Sequence, residues 1–309
     1  MALDTLGQLC ALLAALTWAF ALVLFKRSGE HIPALALNLF KNTIGIILLV
    51  ATLSLTGGFI QVFYRLEPID IGILMISGIL GIALADTAML YSLNLIGVGL
   101  IAIVDCSYSP LVILCSWLML SEQLTVFHYI GGGLIVAGVF VSSQHAPPAD
   151  RTRGQIIVGI LMGILAIALM AVGIVLAKPV LEYTPIIPAT LLRLLPGTIV
   201  LALFAVVSPQ RKLHFSAFRP APVWKFSIPA SVLGTYLAMI LWIGGFKYTK
   251  TSVAAILNQT STVFAIVLAT FVLKEAMDNR KKVAALLAVA GVFIVRAAPF
   301  IESLLAKGR

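Results

Sequence analysis

Four ionisable residues lie inside long apolar runs of this 309-residue chain: Lys41, Asp86, Asp105 and Arg193. Holding a charge at the centre of a bilayer costs roughly 2.5 to 3.5 kcal/mol even on the gentler insertion scale, so each must face a partner or a hydrated cavity. Their types define a short menu of chemistry. An arginine offers a planar fork of donors matched to a carboxylate or another anionic group. A carboxyl removed from water can bind an ammonium or exchange a proton. Two cations with two acids suit a zwitterion such as an amino acid. Alternatively, Lys41 forms a structural pair with Asp86 or Asp105, which still leaves one acid and Arg193 for a solute.

Polar neighbours gather near these charges. Asp105, Tyr108 and Ser109 share one helical face by i, i+3, i+4 spacing, with Pro110 expected to kink the helix, while Asn258 and Gln259 open a polar run that ends at Thr262. These read either as a cavity wall or as groups bonding to their own and neighbouring helices. Trp18, Tyr91, Tyr236 and Trp242 are candidates to line the cavity, or interfacial anchors where they lie near a helix end.

The elements that position these residues must be membrane helices. Of the chain, 61% is apolar and 11% charged, against about 25% charged in typical globular chains, and the mean hydropathy is +1.10. A soluble 33 kDa globule would need a polar skin that this composition does not supply. The net charge of +9 lies in short loops rather than on one stripe, which argues against nucleic acid and for anchoring to membrane lipids. Cys10, Cys106 and Cys115 show neither pairing nor metal-ligand spacing, so no disulfide or metal site is expected. The N-terminal apolar run, lacking a small-residue cleavage site, reads as a retained span rather than a signal peptide.

A crossing helix needs about 20 apolar residues, and ten such stretches follow one another: 5–25, 33–56, 70–92, 97–120, 124–141, 154–177, 184–207, 223–246, 251–273 and 282–295. Breaks at 93–96 and 247–250 are short enough to demand antiparallel hairpins. Unbroken runs of this length exclude a transmembrane barrel, whose segments alternate over about ten residues.

The chain also repeats itself. A slide of 153 places 80–141 on 233–294 without a gap, matching Leu84-Ala85 with Leu237-Ala238, Glu122 with Glu275, and Ala137-Gly138-Val139-Phe140 with Ala290-Gly291-Val292-Phe293. A slide of 152 registers Lys26 with Lys178, Pro33 with Pro185 and Lys41 with Arg193. Residues 1–142 and 154–298 therefore form two five-helix repeats, joined by a linker at 143–153 and followed by a tail at 299–309. Five is odd, so equivalent helices cross in opposite directions, the arrangement many secondary transporters use to build a midplane site.

Helix rise places Asp86 about 9 Å, and Asp105 and Lys41 about 12 Å, below one surface, so these three can form one cluster; Arg193 enters from the other surface to about 13 Å. Its half lacks acids, because Asp86 corresponds to Met239 and Asp105 to Asn258. Small residues at Gly131, Gly132, Gly138, Gly159, Gly163, Ala284, Ala288 and Gly291 read as packing seams between halves or between subunits. Lys26 and Lys178, at helix ends, are expected to snorkel to headgroups or to act at a gate. Glu122 and Glu275 read as helix-terminus or loop contacts.

The duplicated five-helix pattern, the Lys26/Lys178 helix ends, the Lys41/Arg193 cations and the echo of Glu122 to Gly138 in Glu275 to Gly291 together resemble the drug/metabolite transporter superfamily, and within it the EamA-like ten-helix transporters. The resemblance implies a central cavity formed by the first four helices of each half. It further implies secondary active transport, commonly export, of small polar or amphipathic metabolites such as amino acids. Protons are the candidate coupling ion, no cofactor is expected, and the protein is a monomer or homodimer. A polytopic membrane enzyme acting on a lipid-soluble substrate is the alternative, but there is no HExxH, GxSxG or P-loop, and all four histidines lie at or near span ends. Placement in the cell (inner) membrane with both termini on one side is expected. The resemblance makes that side cytoplasmic, whereas charge counting, with seven Lys and Arg on the terminus side against twelve on the other, favours the reverse.

Overall fold

The computed structural model describes residues 2–29, 32–56, 66–142, 152–219, 222–272 and 279–307, and these form an all-helical protein with ten helical passes. Without water to take backbone hydrogen bonds, an apolar run in lipid satisfies its N–H and C=O groups internally as a helix. The passes are α1 (Ala2–Gly29), α2 (Ala34–Leu55), α3 (from Pro68–Gly78 into Ala85–Asp105), α4 (from Ala85–Asp105 into Tyr108–Leu120), α5 (Val126–Ser142), α6 (Arg153–Tyr183), α7 (Ile186–Val207), α8 (Trp224–Ser231 through Ala238–Tyr248), α9 (Thr251–Asn258 and Thr260–Val272) and α10 (Asn279–Lys307). Among the described residues, six helices are long and apolar enough to span by themselves.

Helical backbone runs through the break expected at 93–96, within Ala85–Asp105. A Cβ added to Gly163 would fall 2.8 Å from Ser92 Oγ and 2.9 Å from Val104 Cγ1. Twelve residues of straight helix would hold Ser92 and Val104 about 18 Å apart, so the chain doubles back between them.

Irregularities in the helices repeat with the sequence. A π-helical turn at Ile79–Leu84 interrupts α3, and another at Val232–Leu237 interrupts α8, 153 residues later. The helix of α4 breaks at Cys106 and Ser107, that of α9 at Gln259. Pro110 explains the first break, because its ring displaces the carbonyl four residues earlier. No proline stands at the equivalent Val263, so the second break has another cause, described below.

Packing follows the inverted symmetry. α1 lies along α8 and α9 of the other half, and α6 lies correspondingly along α3 and α4; α2 meets α7 and the π-turn of α8, and α7 meets the π-turn of α3. Equivalent helices α5 and α10 pack on each other. There the backbones nearly touch: a Cβ on Gly291 would lie 2.5 Å from Gly131 O, and one on Gly138 2.8 Å from Ala284 O. Gly159 and Gly163 face Ile96 and Ser92 in the same manner, so both small-residue seams join the two halves of one chain.

Some boundaries differ from the sequence reading. α6 runs through Lys178 and Pro179 to Tyr183 because Lys178 does not snorkel. Its side chain is 7% exposed, donates to the Lys247 and Thr249 carbonyls at 3.2 and 3.1 Å, and meets Glu182 at 3.2 Å. Lys247 reciprocates, donating to the carbonyls of Leu181, Glu182 and Thr184 at 2.8 Å each. Each lysine thus caps the C-terminus of the other's helix. α10 continues helically through 299 to Lys307, and Thr152 with Gln155 forms a capping box that starts α6. Residues 143–151 of the linker, Glu275 and the Lys26 side chain lie outside the described residues.

Replacing Gly291 with alanine must push α5 and α10 apart and should lower stability by about 1 to 3 kcal/mol, read as a drop in apparent Tm in detergent. Gly133→Ala, on α5 with nothing within 4 Å of its added methyl, should leave that Tm unchanged.

Candidate functional site

The interior charges resolve into two clusters rather than the one expected for Lys41, Asp86 and Asp105. In the first, Lys41 Nζ of α2 stands 3.8 Å from Asp86 Oδ2 of α3, with side-chain exposures of 16% and 26%. Trp18 of α1 covers the lysine, its ring centroid 5.9 Å from Nζ. The π-turn ends at Leu84, two residues before Asp86, and fixes the helical face on which the carboxylate emerges. Asn38 and Asn42, on the same face of α2 as Lys41, extend this cluster: Asn42 donates to Asn38 Oδ1 at 3.4 Å, and Asn38 lies beside Asp86. Sequence reasoning missed the two asparagines, although the i, i+3, i+4 spacing that singled out Tyr108 and Ser109 applies equally to 38, 41 and 42.

The second cluster lies where the broken helices α4 and α9 meet. Gln259 Nε2 donates to the Asp105 backbone carbonyl at 3.0 Å and to its Oδ2 at 3.1 Å, while Gln259 Oε1 accepts from Ser109 Oγ at 3.1 Å. Ser109 also approaches the Ala255 carbonyl at 3.3 Å. Helix α9 therefore breaks where its glutamine turns toward the other half, and Thr260 Oγ1 satisfies the Leu257 carbonyl at 2.6 Å. Asp105, with Thr262 also beside it, is held by amide and hydroxyl groups rather than by a cation. That placement corrects the expected triad.

Arg193 of α7 completes this second cluster. It is 4% exposed and points into the protein, not into lipid. Its Cζ lies 5.2 Å from the Trp242 ring centroid, within cation–π range. Gly78 allows α3 to approach, since a Cβ there would stand 1.9 Å from the Arg193 carbonyl, and Gly81 faces the guanidinium at 3.7 Å. Among the described residues, Nε and Nη1 of Arg193 are buried without a hydrogen-bond partner. The hydroxyl of Tyr108, equally buried, lies beside the Trp242 side chain and within electrostatic reach of both Arg193 and Asp105. Asn258, 8% exposed, also has an unpartnered amide nitrogen. Of the aromatic candidates, Trp18 and Trp242 each cover one interior cation. Tyr236 instead shares a 2.8 Å hydrogen bond with Thr52, and Tyr91 is 53% exposed.

Contacts between the halves close the terminus side above these clusters. Glu122, after α4, accepts from Thr251 N, Ser252 N and Ser252 Oγ at 2.8 to 3.0 Å, so it caps the start of α9. Lys250 donates to the Gln123 carbonyl at 2.9 Å, Tyr183 to Asp70 at 2.6 Å, and Thr249 to Asp4.

Ten passes in two inverted sets, broken helices at the interface of the sets, and polar groups held inside define a polytopic membrane transporter. The model of the EamA-like transporter family matches residues 5–144 and again 157–297, and the chain belongs to that family, whose members are transporters and not enzymes. Over 137 residues it is 25% identical to a protein of Bacillus subtilis (strain 168) described as the uncharacterized transporter YoaV, a match spanning 44% of this chain and 46% of that protein. A solved crystal structure superposes with a TM-score of 0.78 at 18% identity, covering 93% of this chain and 95% of that one, which shows a shared fold.

Gln259→Leu, of similar size, leaves Asp105 and Ser109 without their common partner and should cost about 1 to 3 kcal/mol. A double-mutant cycle with Asp105→Asn, read by thermal unfolding, should show non-additivity; strict additivity would mean that the two side chains do not act as a unit.

Proposed function

We propose that the protein is a secondary active transporter for small polar or amphipathic metabolites that carry an anionic group, amino acids being the representative class, and that it works by alternating access. Arg193 receives the solute's carboxylate, and Asp105 receives its ammonium or exchanges a proton. The observation that carries this reading is the buried Arg193 guanidinium, stacked on Trp242 with two nitrogens left unpartnered. A permanently charged group in that position is costly unless a ligand answers it. An anion seated against Nε and Nη1 would accept parallel hydrogen bonds and lie within reach of the Tyr108 hydroxyl. Lys41 and Asp86 neutralise each other and serve this reading as a structural pair that lines the route.

Flux in proteoliposomes tests it. Arg193→Gln should raise the apparent KM for carboxylate-bearing solutes by about tenfold or more, the loss of one charge-assisted interaction, and Arg193→Lys should recover only part because it lacks the fork. An unchanged KM for carboxylate-bearing solutes in Arg193→Gln, or an equal rise for solutes with no anionic group, would remove the arginine from recognition. Asp105→Asn should abolish uptake driven by a pH gradient while leaving solute-for-solute exchange intact; undiminished gradient-driven flux in Asp105→Asn would show that this carboxyl carries no proton.

A further inference from the structure

We propose that the connection between α7 and α8 is a binding site for the phosphate of an anionic phospholipid in the leaflet opposite the termini. From 208 to 226 the chain carries Arg211, Lys212, Arg219 and Lys225 and no acid. None of the four forms an ion pair among the described residues; Lys225 lies over the Phe226 ring at 5.1 Å instead. The segment is partly ordered as helix, with Arg211–His214 followed by a short turn at Ser216–Phe218, so the cations are presented from a fixed backbone. Trp224 Nε1 donates to the Ala217 carbonyl at 3.0 Å, and His214 pairs with Ser208 at 3.0 Å, which pin both ends.

Position in the bilayer follows from the neighbours. Leu203, Phe204 and Val207 at the end of α7, and Leu213 just beyond, expose their side chains outward as lipid-facing residues do. The cations therefore stand at the boundary between hydrocarbon and headgroups. Two adjacent clefts share Arg219. One, of about 390 Å³, has apolar walls from Ile32, Val223 and Phe226 and carries Arg219, Lys225 and Ser216. The other, of about 290 Å³, carries Arg211, Lys212 and Arg219. Ser216 Oγ, in the wall of the larger cleft, is buried with no hydrogen-bond partner among the described residues. Two cations and a donor hydroxyl against an apolar wall match a phosphodiester whose oxygens take the charges while its glycerol and first methylenes lie on Ile32 and Val223, the Phe226 ring being covered by Lys225 and Arg27 at 5.1 and 5.5 Å. Free phosphate would leave that wall bare, and a neutral zwitterionic headgroup would bring its own cation against Arg219 and Lys225.

The test uses the full chain in a neutral detergent, titrated with phosphatidylglycerol, phosphatidylcholine or inorganic phosphate and followed by native mass spectrometry and thermal shift. Phosphatidylglycerol should remain bound and raise the apparent Tm, and the other two should not. Arg219→Gln/Lys225→Gln should weaken its binding by about tenfold or more, Ser216→Ala should weaken it measurably, and Lys282→Gln, a charge removed elsewhere on the same side, should retain it. Lys225→Gln alone, at an exposed position, keeps the comparison if the double variant does not fold. Equal retention of phosphatidylcholine, competition by inorganic phosphate at matched concentration, unchanged binding in Lys225→Gln and in the double variant, or an equal loss in Lys282→Gln would each overturn the site.

Discussion

The rest of the structure depends on one constraint: a hydrocarbon medium gives no hydration to any polar group, so every donor, acceptor and charge must be answered inside the protein. Lys41 is answered by Asp86, Asp105 by Gln259, Lys178 and Lys247 by each other's helix ends. Among the described residues, two nitrogens of Arg193 have only an aromatic face beside them. A cation–π contact contributes about 2 kcal/mol when desolvated, well short of the desolvation penalty of a buried charge, which is several kcal/mol. The shortfall sits where a ligand of opposite charge would gain most, and for this reason we propose the solute site there rather than at the equally deep Lys41.

The duplication supplies a scaffold with two copies of each irregularity and then fills them unequally. Both π-turns occur, yet only α3 follows its turn with an acid, Asp86, where α8 has Met239. Both α4 and α9 break at the equivalent position, yet Asp105 stands beside one break and Asn258 beside the other. Symmetric breaks place the polar backbone at similar depth from either surface, which suits alternating access. Under the proposed function, unequal side chains would give a solute one orientation. Gln259 joins the two breaks, so a change at one is felt at the other through a hydrogen bond rather than through distance.

Much of this was legible beforehand. Span number, the inverted repeat and the interior placement of the four charges follow from run length, parity and the cost of ions in lipid. Which charges meet was not legible, because depth along a helix leaves its rotation open, and a π-turn shifts rotation without a sequence mark. Thus Lys41 and Asp86 found each other while Asp105, at the same estimated depth as Lys41, turned to α9. Lys178 misled for a related reason: a lysine at the end of an apolar run normally reaches for headgroups, and only the tertiary fold brings the carbonyl ends of α8 close enough to compete.

The alternating access we propose would demand that some contacts between the halves break while others persist, and the two kinds differ physically. On the terminus side, the ties are hydrogen bonds that Glu122 accepts from the start of α9 and that Lys250, Tyr183 and Thr249 donate to a carbonyl and to carboxylates. Water can replace each of them when that side opens, so their net contribution is about 1 kcal/mol apiece rather than the full strength of the bond. The α5–α10 seam is a dry backbone-to-backbone contact made possible by glycine, and opening it would expose a groove that neither lipid nor water fills well. The seam lies between equivalent helices, on the pseudo-two-fold axis itself. A rearrangement of the halves is least costly when it pivots about that seam and exchanges the hydrated ties at the ends of the other helices.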